Sequence, residues 1–510
     1  MKALFKGIRR LVSRRIFIVL LILAQIALLV ALLMRSAVVH GLVVLLNVIS
    51  ILTALHLLTR PDQKPFKNSL IFLILLFPLF GGAFYWIFHF QTTSVGFRKT
   101  LKQIEEKAKG AFSPSADRLR DAQGMLRDHQ KLITYLQTTA GFPIYRNTEV
   151  RYFSSGQELL PSLLEDLKNA KHYIFFEYFI IEEGTMWNAI LDILTQKAKE
   201  GVDVRVVYDD LGCFLTLPPN YLQKLEKRGI RCRVFNRFHP FLTSLQNNRD
   251  HRKIAVIDGT VAYTGGINLA DEYIGERIKH GVWKDAGVRL QGEGAWSFTV
   301  MFLQIWGLLS KKEERYADYA PLPSLYTRGG GWVQPYADSP IDGETVGEHV
   351  YMQMIEHAKD YLYITTPYFM VDDSLLAGLK RAAAGGIDVR IVTPGIPDKR
   401  PVHFTTRSYY QDLLEAGIRV YEYEEGFLHA KLFLSDDTVA TVGTVNLDFR
   451  SLYLHFECGV CLYLTPAIEE IKADFFRTLE RCREITPKDC KCGPLKRLWQ
   501  SIARLFAPLM

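Results

Sequence analysis

The sequence predicts an α/β protein, with two pseudo-symmetric α/β sandwich domains behind an N-terminal transmembrane α-helical segment. Three observations predict it. Apolar runs without charge open the chain, strand and helix patterns alternate after them, and from about residue 150 the alternation reads twice. At 510 residues the chain exceeds one compact core, and 48% hydrophobic with 23% charged excludes a disordered or fibrous protein. Seven cysteines, an odd number spread over that length, exclude a disulfide scaffold.

The formal charge of +8 is unevenly placed. The first hundred residues hold twelve Lys and Arg against one acid, Asp62, while the other 410 hold fifty bases and fifty-three acids. The body therefore lacks the basic stripe of a nucleic-acid binder, and no nucleic acid is expected as a partner. The basic excess flanks apolar runs, where it reads as membrane topology.

Residues 1–92 are expected to be a membrane anchor with two or three transmembrane segments. Ile16–Met34 and Ala37–Leu58 carry no charge, and about 20 apolar residues span a bilayer. Ser69–Phe90 is apolar but broken by Pro78 and Gly81–Gly82, which suits a kinked span or a re-entrant hairpin. A cleaved signal peptide does not fit, because the first run is too long and a second starts at once. Lys2, Lys6, Arg9, Arg10, Arg14 and Arg15 place the N-terminus in the cytoplasm, and Arg60, Lys64 and Lys67 do the same for the loop after run two. Three spans would put the repeats outside; a re-entrant third run would leave them inside. The alternation of positive loops favours three spans, and a multi-pass protein of the cell membrane is expected.

Residues 93–145 read as a helical linker, 146–320 as the first repeat domain, 321–335 as a Pro/Gly-rich interdomain linker and 336–493 as the second domain. The β-branched runs Tyr173–Phe179, Gly201–Val207 and Gly229–Phe235 recur as Tyr361–Phe369, Gly386–Val392 and Gly417–Tyr423. Each reads as a buried strand, with helical periodicity between. Each copy then closes on one pattern. His251, Lys253, Asp258, Gly265 and Asn268 recur as His429, Lys431, Asp436, Gly443 and Asn446, every pair offset by 178 residues.

Lys253–Thr264 reads as strand, Asp-Gly turn and strand. His251 and Lys253, two apart, share a strand face. A turn centred on Asp258–Gly259 sets Thr264 opposite Lys253 and Gly266 opposite His251, with Asn268 beside the histidine. The same count sets Thr444 opposite His429. A His, a Lys, a Gly-containing loop and an Asn thus converge in each half.

Lysine ammoniums and the Asn268 and Asn446 amides suit the non-bridging oxygens of a phosphate diester, with Gly265 and Gly443 supporting. One neutral imidazole can attack phosphorus, and the other, protonated, can supply the departing alkoxide with a proton. Asp258 and Asp436 complete the two catalytic boxes, but at the turns, remote from the histidines, they read as structural. Glu457 is the candidate to orient His429, and Asp285 to orient His251. No metal is expected, since a lysine in each cluster repels a cation and no third ligand has suitable spacing. Cys458-Gly-Val-Cys461 and Cys490-Lys-Cys492 make no convincing zinc site.

The paired His-x-Lys…Asp…Gly-x-x-Asn boxes resemble the phospholipase D superfamily. With the apolar Leu73–Gly81 run, Glu177-Tyr-Phe179, Tyr208-Asp-Asp210, Gly265–Tyr273, Pro367-Tyr-Phe369 and Asn446–Ser451, nearly the whole chain resembles its bacterial cardiolipin synthase family. That resemblance implies phospholipase D-like domains that join two phosphatidylglycerol molecules and release glycerol, with no metal, nucleotide or other cofactor. It implies phosphatidylglycerol and anionic membrane lipids as partners, and His251 as nucleophile with His429 as acid. Thr444 stands where a serine is usual and His455 where an asparagine is common. Another phosphatidyltransferase or a lipid hydrolase would share the boxes; a nuclease fits neither the acidic body nor the anchor, and a dead scaffold would not keep both boxes whole.

In the tail, 494–510, Leu495, Leu498, Trp499, Ile502 and Phe506 share one helix face, with Lys496, Arg497 and Arg504 away from it. This reads as an amphipathic membrane-surface helix, with an ordinary docking helix as the alternative.

Overall fold

The computed structural model describes residues 37–59, 64–78, 81–82, 85–86, 92–112, 114–237, 247–312, 314–321 and 329–510. The first apolar run, Ile16–Met34, lies outside the described residues.

The apolar runs of the first repeat form strands at β1 (Thr148–Phe153), β2 (Tyr173–Tyr178), β3 (Asp203–Asp209) and β4 (Arg231–Phe235). After them come β5 (Arg249–Asp250), β6 (Lys253–Ile257), β7 (Val261–Gly265), β8 (Val282–Lys284) and β9 (Gly287–Gly292). The second repeat opens with β10 (Trp332–Asp338), β11 (Tyr361–Thr365), β12 (Phe369–Met370), β13 (Asp388–Pro394) and β14 (Arg419–Tyr423). It closes with β15 (Gly426–Leu428), β16 (Leu432–Ser435), β17 (Val439–Gly443), β18 (Leu447–Asp448), β19 (His455–Tyr463) and β20 (Cys482–Glu484).

The repeat is structural. The first sheet runs β1-β9-β7-β6-β2-β3-β4 and the second β10-β19-β17-β16-β11-β13-β14, with β20 added at its edge. In β2, Ile174 and Phe176 face the helices Gly156–Asn169 and Thr185–Lys199, while Tyr173 and Phe175 face the core on the other side. Burial on both faces is why the run is apolar without alternation. The helix Ala295–Ser310, buried on nearly every side, belongs to this second core, which continues into the second domain.

Two boundaries differ from expectation. Trp332–Pro335, read as linker, is the start of β10; Pro335 is tolerated there because β10 is an edge strand. The 93–145 segment is helical but no spacer. Leu101, Phe112, Leu132 and Leu136 enter the shared core, and the Gln334 amide donates to the Ile133 and Phe142 carbonyls at 3.2 and 2.9 Å.

Ala37–Thr59 is one helix, of which Gly41–Thr59 is long and apolar enough to cross a membrane. The third run does not continue as a single span. Its helix, Lys64–Leu76, stops before Pro78, and the chain turns back onto the first helix. Ser50 Oγ donates to the Pro78 carbonyl at 2.6 Å and accepts from Gly82 N at 3.1 Å, and Trp86 Nε1 donates to Thr53 Oγ1 at 2.9 Å.

Candidate functional site

The hairpin that carries each His-x-Lys box has a three-residue connection. Ile257 pairs with Val261 and Ser435 with Val439, around Asp258-Gly259-Thr260 and Asp436-Asp437-Thr438. The first two residues of each turn have positive φ, 50° and 69° in one and 53° and 55° in the other. The pairing expected from a two-residue turn is therefore wrong by one position. The β6–β7 ladder ends at Ala255 and Tyr263, and Lys253 pairs instead with Tyr178 of β2.

Asp258 and Asp436 stand at these turns, away from the histidines. The Asp258 carboxylate accepts the backbone N–H groups of Lys171, His172 and Tyr173, each at 2.8 Å. Asp436 accepts those of Lys359, Asp360 and Tyr361 at 2.9, 3.0 and 2.9 Å. Each aspartate ties its turn to the start of the central strand; neither touches His251 or His429, in keeping with the structural reading of both turns.

Gly265 and Gly443 end β7 and β17. A Cβ at Gly265 would lie 2.4 Å from the Ala286 carbonyl oxygen, and one at Gly443 2.5 Å from that of Cys458. Both glycines let adjacent strands close up, and so support the site through the backbone.

The decisive geometry is between the halves. The short strand β5 leaves its own sheet and pairs in parallel with the start of β19, while β15 pairs in parallel with β8. His251 follows β5 directly and His429 follows β15. Each histidine therefore arrives beside an acid of the opposite half: Glu457 on β19, and Asp285 just after β8. His251 Nδ1 is 2.9 Å from both Glu457 oxygens, and His429 Nδ1 is 2.6 Å from Asp285 Oδ2. The expected pairing was the reverse. It followed chain proximity, whereas exchange of strands between the halves sets the actual partners.

With Nδ1 engaged, each imidazole keeps Nε2 for chemistry. Lys253 and Lys431 donate to the carbonyl oxygens of the histidines two residues before them. All four side chains and both acids are buried, none more than 7% exposed. Burial, then the Lys253 and Lys431 charges, hold the His251 pKa well below the usual imidazole value. Burial and Lys431 bring His429 down to about 4, although Asp285 pulls the other way. Burial also depresses the lysines, Lys253 to about 8 and Lys431 to about 7, against the pull of Glu457 and Asp285. Asp285 itself is lowered: burial opposes this, but His429 and Lys431 outweigh it.

Asn268 and Asn446 differ in the two halves. Asn268 accepts from Ile180 N at 3.1 Å and donates to the Tyr273 hydroxyl at 2.7 Å, so its amide is committed to the protein. Asn446 keeps a buried Oδ1 without a hydrogen-bond partner among the described residues.

Several neighbours escaped the sequence. Tyr273, Trp283 and Phe427 surround the His429 ring at 5.7–5.8 Å, and Phe179 lies 4.9 Å from that of His251. Tyr273 and Phe179 alone left a signal, as the ends of the Gly265–Tyr273 and Glu177-Tyr-Phe179 stretches. Thr444 Oγ1 donates to Glu457 and accepts from Cys458 N at 2.9 Å; the matching position of the first half is Gly266, where a Cβ would lie 2.1 Å from Asp285 Oδ1. His251, His455 and Glu457 bring three ligand-type atoms within 4.8 Å of one another. No such third ligand was evident in sequence, because two of the three come from the other half. The Lys253 and Lys431 charges acting on the same histidine oppose a cation there.

The family described as cardiolipin synthase, PLD-like domain, matches residues 163–281 and 351–479, once per repeat. The cardiolipin synthase of Alkalihalophilus pseudofirmus is 37% identical over 458 residues, 88% of this chain and 90% of that protein. An uncharacterised protein of Streptococcus mutans is 43% identical over 445 residues, 86% of this chain and 95% of that one. Among solved structures, a phosphatidylserine synthase of Haemophilus influenzae shares the fold at a TM-score of 0.56 and 16% identity, covering 75% of this chain and 98% of that one.

Proposed function

The chain belongs to the cardiolipin synthase family of phospholipase D-like proteins, and on that premise we propose that it transfers a phosphatidyl group between two phosphatidylglycerol molecules. Membership makes it a phospholipid phosphatidyltransferase; the donor, the acceptor and the route through a covalent histidine are the proposal. One observation carries that route: two buried His-x-Lys pairs, each histidine held at Nδ1 by an acid of the other half.

The His251 Nε2 lone pair attacks phosphorus and the bond to the glycerol headgroup breaks. His429, protonated, gives its proton to the leaving alkoxide and glycerol departs. A phosphatidyl group is then held through a P–N bond. The terminal hydroxyl of a second phosphatidylglycerol attacks, its proton passes to His429, the P–N bond breaks and cardiolipin leaves. Both histidines return to their starting states.

The assignment of roles follows the family resemblance, and the charges are compatible with it. Burial and the two lysines hold His251 neutral, as a nucleophile must be. His429 faces two cationic lysines that a bound phosphodiester would offset, which raises its pKa toward that of a useful acid.

For the membrane segment we infer two spans, Ile16–Met34 and the helix Ala37–Thr59, followed by a re-entrant hairpin. Thirteen helical residues reach only ~20 Å, short of the ~30 Å bilayer core. With the N-terminus in the cytoplasm, this count leaves the repeats on the cytoplasmic side.

The test is direct. Purified protein given phosphatidylglycerol vesicles and a chelator should make cardiolipin and free glycerol in equal amounts. Phosphatidic acid as the main product would make it a hydrolase.

A further inference from the structure

A second cationic recess lies outside the His-x-Lys site, where the helix Arg400–Ser408 meets the tail helix Pro494–Phe506. It encloses about 160 Å³, and Arg400, His403, Arg407 and Lys496 line it. Two acids sit near these cations, and both are already answered. Glu422 is met by Arg407 Nε at 3.2 Å and Arg483 Nη2 at 3.1 Å, and Asp489 by Arg483 Nη1 at 2.8 Å. Arg400 and Lys496, both exposed, pair with no acid among the described residues. Arg400, Arg407, Lys496 and the flanking Arg483 thus stand against two carboxylates.

Lys496 also borders an open apolar groove formed with Phe404, Leu495 and Trp499. Leu495 is 69% exposed and Trp499 57%, unusual for large apolar side chains unless an apolar phase covers them. The other end of the tail helix rests on the membrane segment: Ser69 Oγ donates to the Leu505 carbonyl, and Phe72 meets Phe506 edge-on at 5.6 Å. One thirteen-residue helix, ~20 Å long, therefore joins this recess to the membrane segment.

We propose that the recess and groove bind one anionic membrane phospholipid. Its headgroup phosphate would sit between Arg400 and Lys496, and an acyl chain along Phe404 and Trp499. Charge complementarity selects the phosphate, and the apolar groove continuous with it selects a lipid over a soluble anion. The site is separate from the reacting lipids and depends on membrane attachment, not on the reaction catalysed.

The full chain in phosphatidylcholine nanodiscs, doped with phosphatidylglycerol bearing a diazirine high on one acyl chain, tests it by peptide mapping after illumination. Label is expected on the peptides holding Phe404 and Leu495–Trp499. Arg400→Gln with Lys496→Gln should lower that label about tenfold, with Tm and labelling near His251 unchanged. Unchanged labelling in the double variant would overturn the proposal. Equal labelling by a phosphatidylcholine probe would reduce the site to bare membrane contact, and displacement by millimolar inorganic phosphate would make it a soluble-anion site; either overturns it. A chain that forms no cardiolipin but keeps the selective label defeats the function proposed above and leaves this site standing.

Discussion

Glu457 and Asp285 do the same job for different histidines, so removing one charge at a time should damage different steps. On a nitrophenyl phosphatidyl ester the leaving group is stable as an anion, and the first step needs no general acid. Asp285→Asn, which disorients His429, should keep the burst of nitrophenol and accumulate an adduct on His251, with turnover reduced. Glu457→Gln should lose the burst itself, by ~10²–10⁴-fold on analogy with other His-carboxylate pairs. A burst that survives Glu457→Gln and vanishes in Asp285→Asn would reverse the roles of the histidines.

The lysines set the alkaline limb. With pKa values near 7 for Lys431 and 8 for Lys253, both are charged below that range and lose charge as pH rises through it. KM for an anionic lipid should therefore climb between pH 7 and 9, with kcat falling less. Lys431→Arg keeps its charge at every such pH and should flatten the rise. An unchanged profile in that variant would remove Lys431 from phosphate binding.

Among the elements, the two hairpin turns are the clearest case of function-like sequence with a structural job. The Asp258 and Asp436 carboxylates each accept three backbone N–H groups and tie a hairpin to the strand beside it. Asp258→Ala should cost about 2–3 kcal/mol, seen as a lower Tm, while the folded fraction keeps its turnover. Loss of turnover at unchanged Tm would return the aspartate to the catalytic set. The tail helix divides along its length. Leu495, Leu498 and Trp499 are exposed, as an interfacial helix requires, but Arg504 pairs with Asp412 at 2.6 Å and docks the far end. The far end thus docks as an ordinary helix would, and the exposed end is the part left for the membrane-surface contact proposed above.

For the whole molecule, the proposed re-entrant hairpin would leave the repeats on the cytoplasmic side. A single cysteine at Pro321 in a cysteine-free background should be protected from an impermeant reagent in intact cells and react after permeabilisation. Labelling in intact cells would restore the three-span count and put the repeats outside.

Much of this was legible in the sequence, because strand and helix periodicity, turn residues and a fixed repeat offset are local properties. The α/β class, the doubled boxes and the residue types for phosphoryl chemistry all lie within short windows. The acid partners do not. His251 and Glu457 are 206 residues apart and His429 and Asp285 are 144 apart, and the two halves look alike at either end. Local sequence is equally compatible with either pairing. The exchange of β5 and β15 between halves chose one, through backbone hydrogen bonds and a core shared across the domain boundary. The hairpin register shifted for a similar reason, since turn length depends on φ values that Asp-Gly and Asp-Asp permit without specifying. By itself the sequence determined which elements form and what chemistry they carry; only tertiary structure decided which acid serves which histidine, because long-range packing between two halves of like topology selects that pairing.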